Sequence, residues 1–155
     1  MSDIKKLINY LIEKNSEEQT HFGEGFLLTP ISLDELKAFN AHFTKAFNFQ
    51  PPNELLDILK ISNGFYVNGL NVYSAKEQNE PYYLAGIIEA NQEFHTEESL
   101  RNFVAFCDES SSRVVYNLKV NQFQIVDSFT WEELESFPTL TLAISSLLKT
   151  ANIFE

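Results

Sequence analysis

Cysteine and histidine are scarce in this chain of 155 residues, which contains one cysteine, Cys107, and three histidines. A single cysteine cannot form an intrachain disulfide, and it cannot supply a zinc site built from several thiolates. A lone thiol is typical of proteins kept in a reducing compartment, so we expect a cytoplasmic protein. The apolar residues 104–106 that precede Cys107 indicate a buried strand, and we interpret this cysteine as a core residue.

Glycine is also rare, with five residues, and the chain has no glycine-rich phosphate loop and no nucleophile-elbow motif. The three histidines are dispersed and form no pair with metal-ligand spacing. The adjacent acids Glu97–Glu98 and Glu132–Glu133 would point about 100° apart in a helix, so they do not converge on one substrate. We interpret both pairs as solvated charges at helix starts, and we expect no catalytic residues, no metal and no cofactor.

Long apolar runs are absent as well. No segment approaches the roughly 18 apolar residues that a membrane span requires. The start of the chain, MSDIKKLINYLIEKNSEEQ, lacks the apolar core of a signal peptide. We therefore expect neither a membrane anchor nor export by such a signal.

Acidic residues are abundant, with 22 against 11 basic residues and a net charge of −11. Such a surface repels phosphate, which argues against nucleic acid and anionic membranes as partners and favours a basic protein. The imbalance is strongest between residues 77 and 112, a segment that contains eight acidic residues and one basic residue, Arg101. This local excess predicts a surface that steers a basic partner, although charge that only maintains solubility is the alternative interpretation.

The predicted contact set combines five carboxylates that flank strand ends with two aromatic residues that would supply short-range affinity. Its members are Glu93, Glu97, Glu98, Asp108, Glu109, Tyr82 and Tyr83. We expect the carboxylates to act mainly on the rate of encounter, because exposed charges act at long range.

Hydrophobic periodicity predicts three helices in the first part of the chain, over residues 3–14, 32–48 and 53–62, with a loop over 15–25. Ser32 and Glu35 fit a capping box at the start of the second helix. In the pair Asn63–Gly64, Gly64 suits the left-handed residue that ends the third helix. The pair Asn68–Gly69 predicts a hairpin turn.

Alternating patterns predict strands in the second part of the chain, over residues 70–73, 82–85, 103–107, 114–118 and 123–126. Residues 87–94 are ambiguous and suggest one or two helical turns. Trp131 and Leu134 fall in a segment that we predict to be helical, and a last helix is expected over 142–148.

Helices and strands that segregate along the chain indicate an α+β fold. We predict a single domain over 1–155, with an N-terminal helix and loop in 1–31 and the body of the domain in 32–155. The expected sheet is antiparallel or mixed, with about four to six short strands. Helices are expected on one side of the sheet and at both termini.

The segment 52–73, PNELLDILKISNGFYVNGLNVY, resembles the hallmark segment of the SUKH superfamily. That hallmark is a proline, a short apolar helix, an Asn-Gly pair and a strand. The second pair, Asn68–Gly69, makes the chain more similar to the bacterial YrhA-like branch than to the yeast cell-wall assembly regulators. The order of the later elements is also similar to that of the family.

The resemblance implies an interaction protein rather than an enzyme. Bacterial members look like immunity proteins that bind and neutralise a cognate toxin, and many such toxins are nucleases and therefore basic. A regulatory protein-binding scaffold of the cell-wall assembly regulator type is the alternative. A third hypothesis, an enzyme or small-ligand binder, would be favoured by a deep pocket with several convergent ionisable groups.

Overall fold

An antiparallel sheet of six strands in chain order forms the centre of the computed structural model, which describes residues 3–150. The strands are β1 (Phe65–Val67), β2 (Leu70–Val72), β3 (Phe103–Asp108), β4 (Ser112–Asn117), β5 (Gln122–Asp127) and β6 (Glu133–Phe137). Across this described range the helices are α1 (Asp3–Phe22), α2 (Leu33–Phe47), α3 (Asn53–Leu59), α4 (Ile87–Phe94), the 3-10 helix Glu98–Leu100, and α5 (Leu140–Thr150). The predicted α+β class is confirmed.

The two faces of the sheet have different coverings. On the inner face, Phe43 of α2 stacks on Phe106 of β3 with ring centroids 6.4 Å apart, and α5 contacts β4, β5 and β6. The register aligns Asp108, Arg113 and Val126 on three neighbouring strands. Phe106 also packs on Phe123 of β5, which pairs with Tyr116 of β4. Arg113 is three residues from Tyr116, so Arg113 and its register partners lie on the opposite face, which we call the outer face. A bulge between Ala105 and Cys107 interrupts the alternation within β3.

The helices share one apolar core beneath the inner face. Helix α1 contacts α3 and α5, and α3 contacts α5. Leu11 of α1, Leu59 of α3 and Leu148 of α5 are each fully buried. Each such side chain contributes about 1.5–3 kcal/mol through its removal from water, so the terminal helices are integral to the domain.

Helix α2 begins at the predicted capping box. The Ser32 hydroxyl accepts the Glu35 backbone N–H at 3.2 Å, and the Glu35 carboxylate accepts the Ser32 backbone N–H at 3.2 Å. These two bonds satisfy backbone donors that a helix start leaves without partners. The helix ends at Asn48, which adopts a left-handed φ of 59°.

Helix α1 is longer than its apolar stripe suggests, and the predicted loop over 15–25 is wrong for most of its length. The helix continues to Phe22 and ends at Gly23, which has φ 84° and donates its N–H to the Gln19 carbonyl at 3.0 Å. The added turns are polar but contain Glu17, Glu18 and Gln19, which are good helix formers. A helix can therefore extend into solvent after its apolar stripe has ended.

The predicted strand over 82–85 is also wrong, because this segment forms only the isolated bridge between Leu84 and Gln78. The edge of β3 is paired by a side chain instead. Strand β2 pairs with β3 only as far as Cys107. Beyond that point the Asn91 carboxamide accepts the Ala105 N–H at 2.7 Å and donates to the Ala105 carbonyl at 2.8 Å. Asn91 is fully buried, and it supplies the two hydrogen bonds that a neighbouring strand would otherwise make to Ala105. The ambiguous segment that carries it is helix α4.

The region of Trp131 and Leu134 is not helical, so the prediction there is wrong. Glu133–Phe137 is strand β6, which pairs with β5. The Glu132–Glu133 pair consequently does not start a helix. Pairing with the open edge of β5 outweighs local helix preference, as tertiary context often does. The last helix is α5, which begins two residues before its predicted start.

Gly64 has the predicted positive φ, 74°, but it does not end the helix directly. Helix α3 ends at Leu59, and Lys60 follows in a right-handed conformation. A Cβ atom on Gly64 would lie 2.7 Å from the Val72 carbonyl oxygen and 2.8 Å from the Ser74 nitrogen. Glycine is required here because two backbone segments approach each other closely. The predicted hairpin turn at Asn68–Gly69, with φ 48° and 84°, is confirmed.

We expect Gly64→Ala to destabilise the protein more than the matched variant Gly69→Ala. Both glycines have positive φ, so each substitution costs about 1–2 kcal/mol in backbone strain. Only Gly64 is crowded, since nothing lies within 4 Å of a Cβ built on Gly69. The overlap should add about 1–3 kcal/mol in urea unfolding. Equal losses for the two variants would contradict the role of close approach.

Candidate partner-binding surface

Three members of the predicted contact set, Glu93, Glu97 and Glu98, lie together and are exposed. Glu93 is in the last turn of α4, and the other two follow that helix at the 3-10 helix. His95 holds this segment against the sheet, because its Nε2 lies 2.6 Å from the Phe103 carbonyl oxygen at the start of β3. These three carboxylates are therefore displayed from a well-anchored segment.

The other two carboxylates of the set lie at the far end of β3. That strand rises about 3.4 Å per residue, so Asp108 is about 17 Å from Phe103. Glu109 follows Asp108 directly. The five carboxylates thus form two groups rather than one cluster.

Asp108 is used inside the protein. It accepts the hydroxyl hydrogen of Tyr73 and an amide hydrogen of Asn71, the latter at 3.1 Å. It also forms an ion pair with Arg113, with Nη1 and Oδ2 3.0 Å apart. Burial, followed by the Asp108 charge, raises the pKa of Tyr73 far above its ordinary value, so the phenol remains a donor. Asp108 has little capacity left for a partner.

Glu109 is occupied by the turn between β3 and β4. Its Oε1 accepts the Ser111 backbone N–H at 3.0 Å and the Ser112 hydroxyl at 2.6 Å. Partial burial pushes the pKa of Glu109 upward, but the hydrogen bonds from Ser111 and Ser112 outweigh it and the pKa lies below its usual value. The carboxylate stabilises the turn as an anion.

Arg113 connects the outer face of the sheet to α4 and to the β5–β6 loop. Its guanidinium carbon lies 5.0 Å from the ring centroid of Phe94 and 5.2 Å from that of Trp131. The two rings contact each other at 5.1 Å, and Trp131 also packs on Phe103 at 5.6 Å. We call Phe94, Phe103 and Trp131 the ring cluster. A cation between two aromatic faces is stabilised by both ring quadrupoles.

The β5–β6 loop places Trp131 in the ring cluster by means of Asp127. Its Oδ1 accepts the N–H groups of Phe129 and Thr130, both at 2.9 Å, and these bonds lower the pKa of Asp127. Trp131 has φ 60°, a strained conformation for a bulky residue. Phe129 at the tip of the loop is 86% exposed, which makes it available to a partner.

The same loop carries two further carboxylates, of which Glu133 lies on the outer face because it pairs with Val126. Glu132 and Glu133 follow Trp131 directly, and Glu133 accepts a hydrogen bond from Gln124 at 2.7 Å. Because Trp131 packs on Phe94, the neighbour of Glu93, the two acidic segments meet at the ring cluster. We call Glu93, Glu97, Glu98, Glu132 and Glu133 the acidic rim, and all five are exposed. Sequence analysis missed Glu132 and Glu133 because only the strand pairing of β6 places them here.

The two tyrosines of the set lie toward the other edge of the sheet. The Tyr82 hydroxyl accepts the Tyr66 N–H at 3.0 Å and donates to the Phe26 carbonyl at 3.2 Å. Burial raises the pKa of Tyr82. Tyr66 shares a row of the outer face with Asp108, two strands or about 10 Å away. Tyr83 is 60% exposed and therefore open to contact.

Nucleophilic and metal-binding groups are not assembled at this surface. Burial raises the pKa of Cys107 far above its ordinary value, which keeps the thiol protonated and unreactive. Among residues 3–150, no group of three or more histidine, cysteine or acidic side chains could hold a metal ion. The arrangement is suited to contact with another molecule through charge and aromatic surface.

We expect Arg113→Lys to destabilise the protein by about 1–3 kcal/mol, because lysine keeps the charge but loses the planar group between the two rings. Urea unfolding of Arg113→Lys, Asp108→Asn and the double variant would measure the coupling. We expect the two losses to be non-additive, since the residues share one network. Strict additivity would show that Arg113 and Asp108 act independently.

Stability should fall as the solution becomes acidic, because Asp127 and Glu109 have lowered pKa values in the folded protein. Their contribution is complete above the ordinary values of 3.8 and 4.5 and is lost as the pH falls through the folded values. Asp127→Asn can accept the same N–H groups without charge. Its stability deficit should therefore be largest at pH 7 and shrink below about pH 4. A deficit that is constant with pH would contradict this account.

Neither a comparison with models of known protein families nor one with curated proteins finds a match to this chain. The likeness to the SUKH superfamily thus depends on the sequence segment 52–73 and stays a prediction. Within residues 3–150, no helix combines the length and the apolar composition that crossing a bilayer requires.

Proposed function

We propose that this protein is a cytoplasmic immunity protein that binds a cognate antibacterial toxin in a stoichiometric complex and so neutralises it. The observation that carries the proposal is the acidic rim, a set of five exposed carboxylates on two segments that meet at the Phe94–Trp131 contact. The resemblance of segment 52–73 to the SUKH hallmark supports it independently.

A basic nuclease is the class of toxin that suits this surface best. An enzyme that cleaves nucleic acid presents cationic groups to the phosphates of its substrate. A protein with an excess of carboxylates competes for the same cationic groups, and its field accelerates the encounter. No catalysis by the immunity protein is needed, because occupancy alone blocks the toxin.

The structure divides the predicted contacts by their availability. Glu93, Glu97 and Glu98 are exposed and supply the steering charge together with Glu132 and Glu133. Tyr83 and the exposed Phe129 are the aromatic residues available for short-range contact, where aromatic side chains dominate affinity. We assign Asp108 and Glu109 mainly to stabilising the fold, for the hydrogen-bonding reasons given above.

Co-expression tests the proposal directly. We expect growth of a susceptible bacterium to be rescued when this chain is produced with the toxin encoded beside its gene. The purified pair should elute as a stoichiometric complex in light scattering. A stable complex with proteins of the producing cell, without rescue, would instead favour the regulatory scaffold. An intact activity of the toxin at saturating concentrations of this protein would refute the proposal.

We expect Glu97→Lys/Glu98→Lys to lower the association rate with the toxin by about tenfold while leaving dissociation nearly unchanged. The matched control is Glu17→Lys/Glu18→Lys on α1, which changes the net charge equally but lies outside the acidic rim. Raising salt from about 50 to 500 mM should slow the wild type similarly, as the Debye length shrinks from about 14 to 4 Å. Equal effects of both double variants would assign the rim no specific role.

A further inference from the structure

A second candidate site lies away from the acidic rim, in a cavity of about 430 Å³ beside helices α2 and α4. Its floor is apolar and buried, formed by Phe39, Ala75 and Ile88. Its rim is charged and exposed. The rim includes Glu35, Lys76 and Glu89, with His42 beside them. An apolar floor with a few polar groups at the opening is the usual construction of a small-ligand site.

The Asn-Gly motif builds one wall of this cavity. The Asn63 Oδ1 accepts the Ala75 N–H at 2.8 Å, and the Asn63 carbonyl accepts a hydrogen bond from the Gln78 side chain at 2.7 Å. On the opposite side, the Glu89 carboxylate accepts the Glu77 N–H at 3.3 Å. The loop between Ala75 and Gln78 is thus held from both sides, and the cavity is formed before any ligand arrives.

The charges at the opening do not cancel. Two carboxylates, Glu35 and Glu89, share the rim with one ammonium group, that of Lys76. None of these three residues forms an ion pair within 4 Å in the part of the chain from 3 to 150. Each carboxylate accepts a backbone N–H, so its position is set by the fold. The opening therefore offers ordered negative charge above an apolar floor.

We propose that this cavity binds an organic cation, an ammonium or guanidinium group carried on an apolar stem. The stem packs on Phe39 and Ile88, and the cationic head meets the carboxylates of Glu35 and Glu89. The cation can be a free amine or an arginine or lysine side chain of a protein. In the second case the inference extends the proposed function, because a basic toxin carries such side chains.

Titration with butylguanidinium, followed by NMR of the full chain, tests the proposal without any toxin. We expect shifts at Phe39, Ala75 and Ile88 with butylguanidinium, and much weaker ones with butylurea, its neutral isostere. N-acetylarginine methylamide is the second probe, and it represents a side chain on a polypeptide. Binding of both probes would show that the cavity accepts a side chain on a polypeptide. Binding of butylguanidinium alone would indicate that the ligand is a free cation.

Charge variants provide a further test, because removing a carboxylate and removing the ammonium group should change the affinity in opposite directions. Glu35→Gln and Glu89→Gln keep an oxygen that accepts the backbone N–H, so the fold should persist while affinity falls about two- to fivefold for each. Lys76→Gln should strengthen binding by a similar factor, because it removes the competing cation. Glu18→Gln, on α1 and outside both the cavity and the acidic rim, should leave the affinity for butylguanidinium unchanged.

Filling the cavity is the complementary test. Ala38→Leu places a larger side chain at the wall contributed by α2, with only a small loss of helix propensity, and should abolish binding with little change in the melting temperature. Shifts at the floor residues that are equal for butylurea, or weaker binding by Lys76→Gln, would overturn the proposal. So would the absence of any shift. None of these results depends on whether the toxin is neutralised.

Discussion

The two hydrogen bonds between the Asn91 side chain and the Ala105 backbone hold helix α4 against β3, and both candidate sites depend on that helix. Beyond the end of its pairing with β2, strand β3 has an unpaired edge. Without Asn91, the buried N–H and carbonyl of Ala105 at this edge would lack hydrogen-bond partners, at a cost of about 1–3 kcal/mol each. Once α4 is held there, Phe94, the last residue of the helix, lies in the ring cluster. Glu89, one turn before Glu93, reaches the cavity. One buried amide thus links the two surfaces.

The carboxylates of this acidic protein serve two purposes that their sequence does not distinguish. Asp108, Glu109 and Asp127 each accept several hydrogen bonds from a strand end or a turn. The carboxylates of the acidic rim are exposed and increase the negative field instead. No buried side-chain nitrogen or oxygen between residues 3 and 150 lacks a hydrogen-bond partner. The internal network is therefore complete, and binding can engage the exposed charges other than Glu133, which accepts a hydrogen bond from Gln124, without disturbing it.

The segment Ser62–Gly64 is better described as a junction than as a helix stop. The Ser62 hydroxyl accepts the Leu28 N–H at 2.8 Å and donates to the Gly64 carbonyl at 2.6 Å. Asn63 holds the loop that begins at Ala75, and Gly64 lets two backbone segments approach each other. The motif therefore joins the segment before α2 to the segment before α4, and it shapes the cavity between those helices.

Local sequence was sufficient to predict the features that depend on near neighbours. These are the capping box at Ser32, the hairpin turn at Asn68–Gly69, the positive φ of Gly64 and the segregation of helices and strands that defines the α+β class. Features that need a distant partner could be seen only in the folded protein. Strand β6 formed because β5 offered an open edge, whereas its local pattern suggested a helix. Asn91 took the place that a strand would have filled, and the Phe94–Trp131 contact joined two acidic segments far apart in the chain. Edge pairing, burial and charge convergence depend on which distant groups meet, and local periodicity does not contain that information.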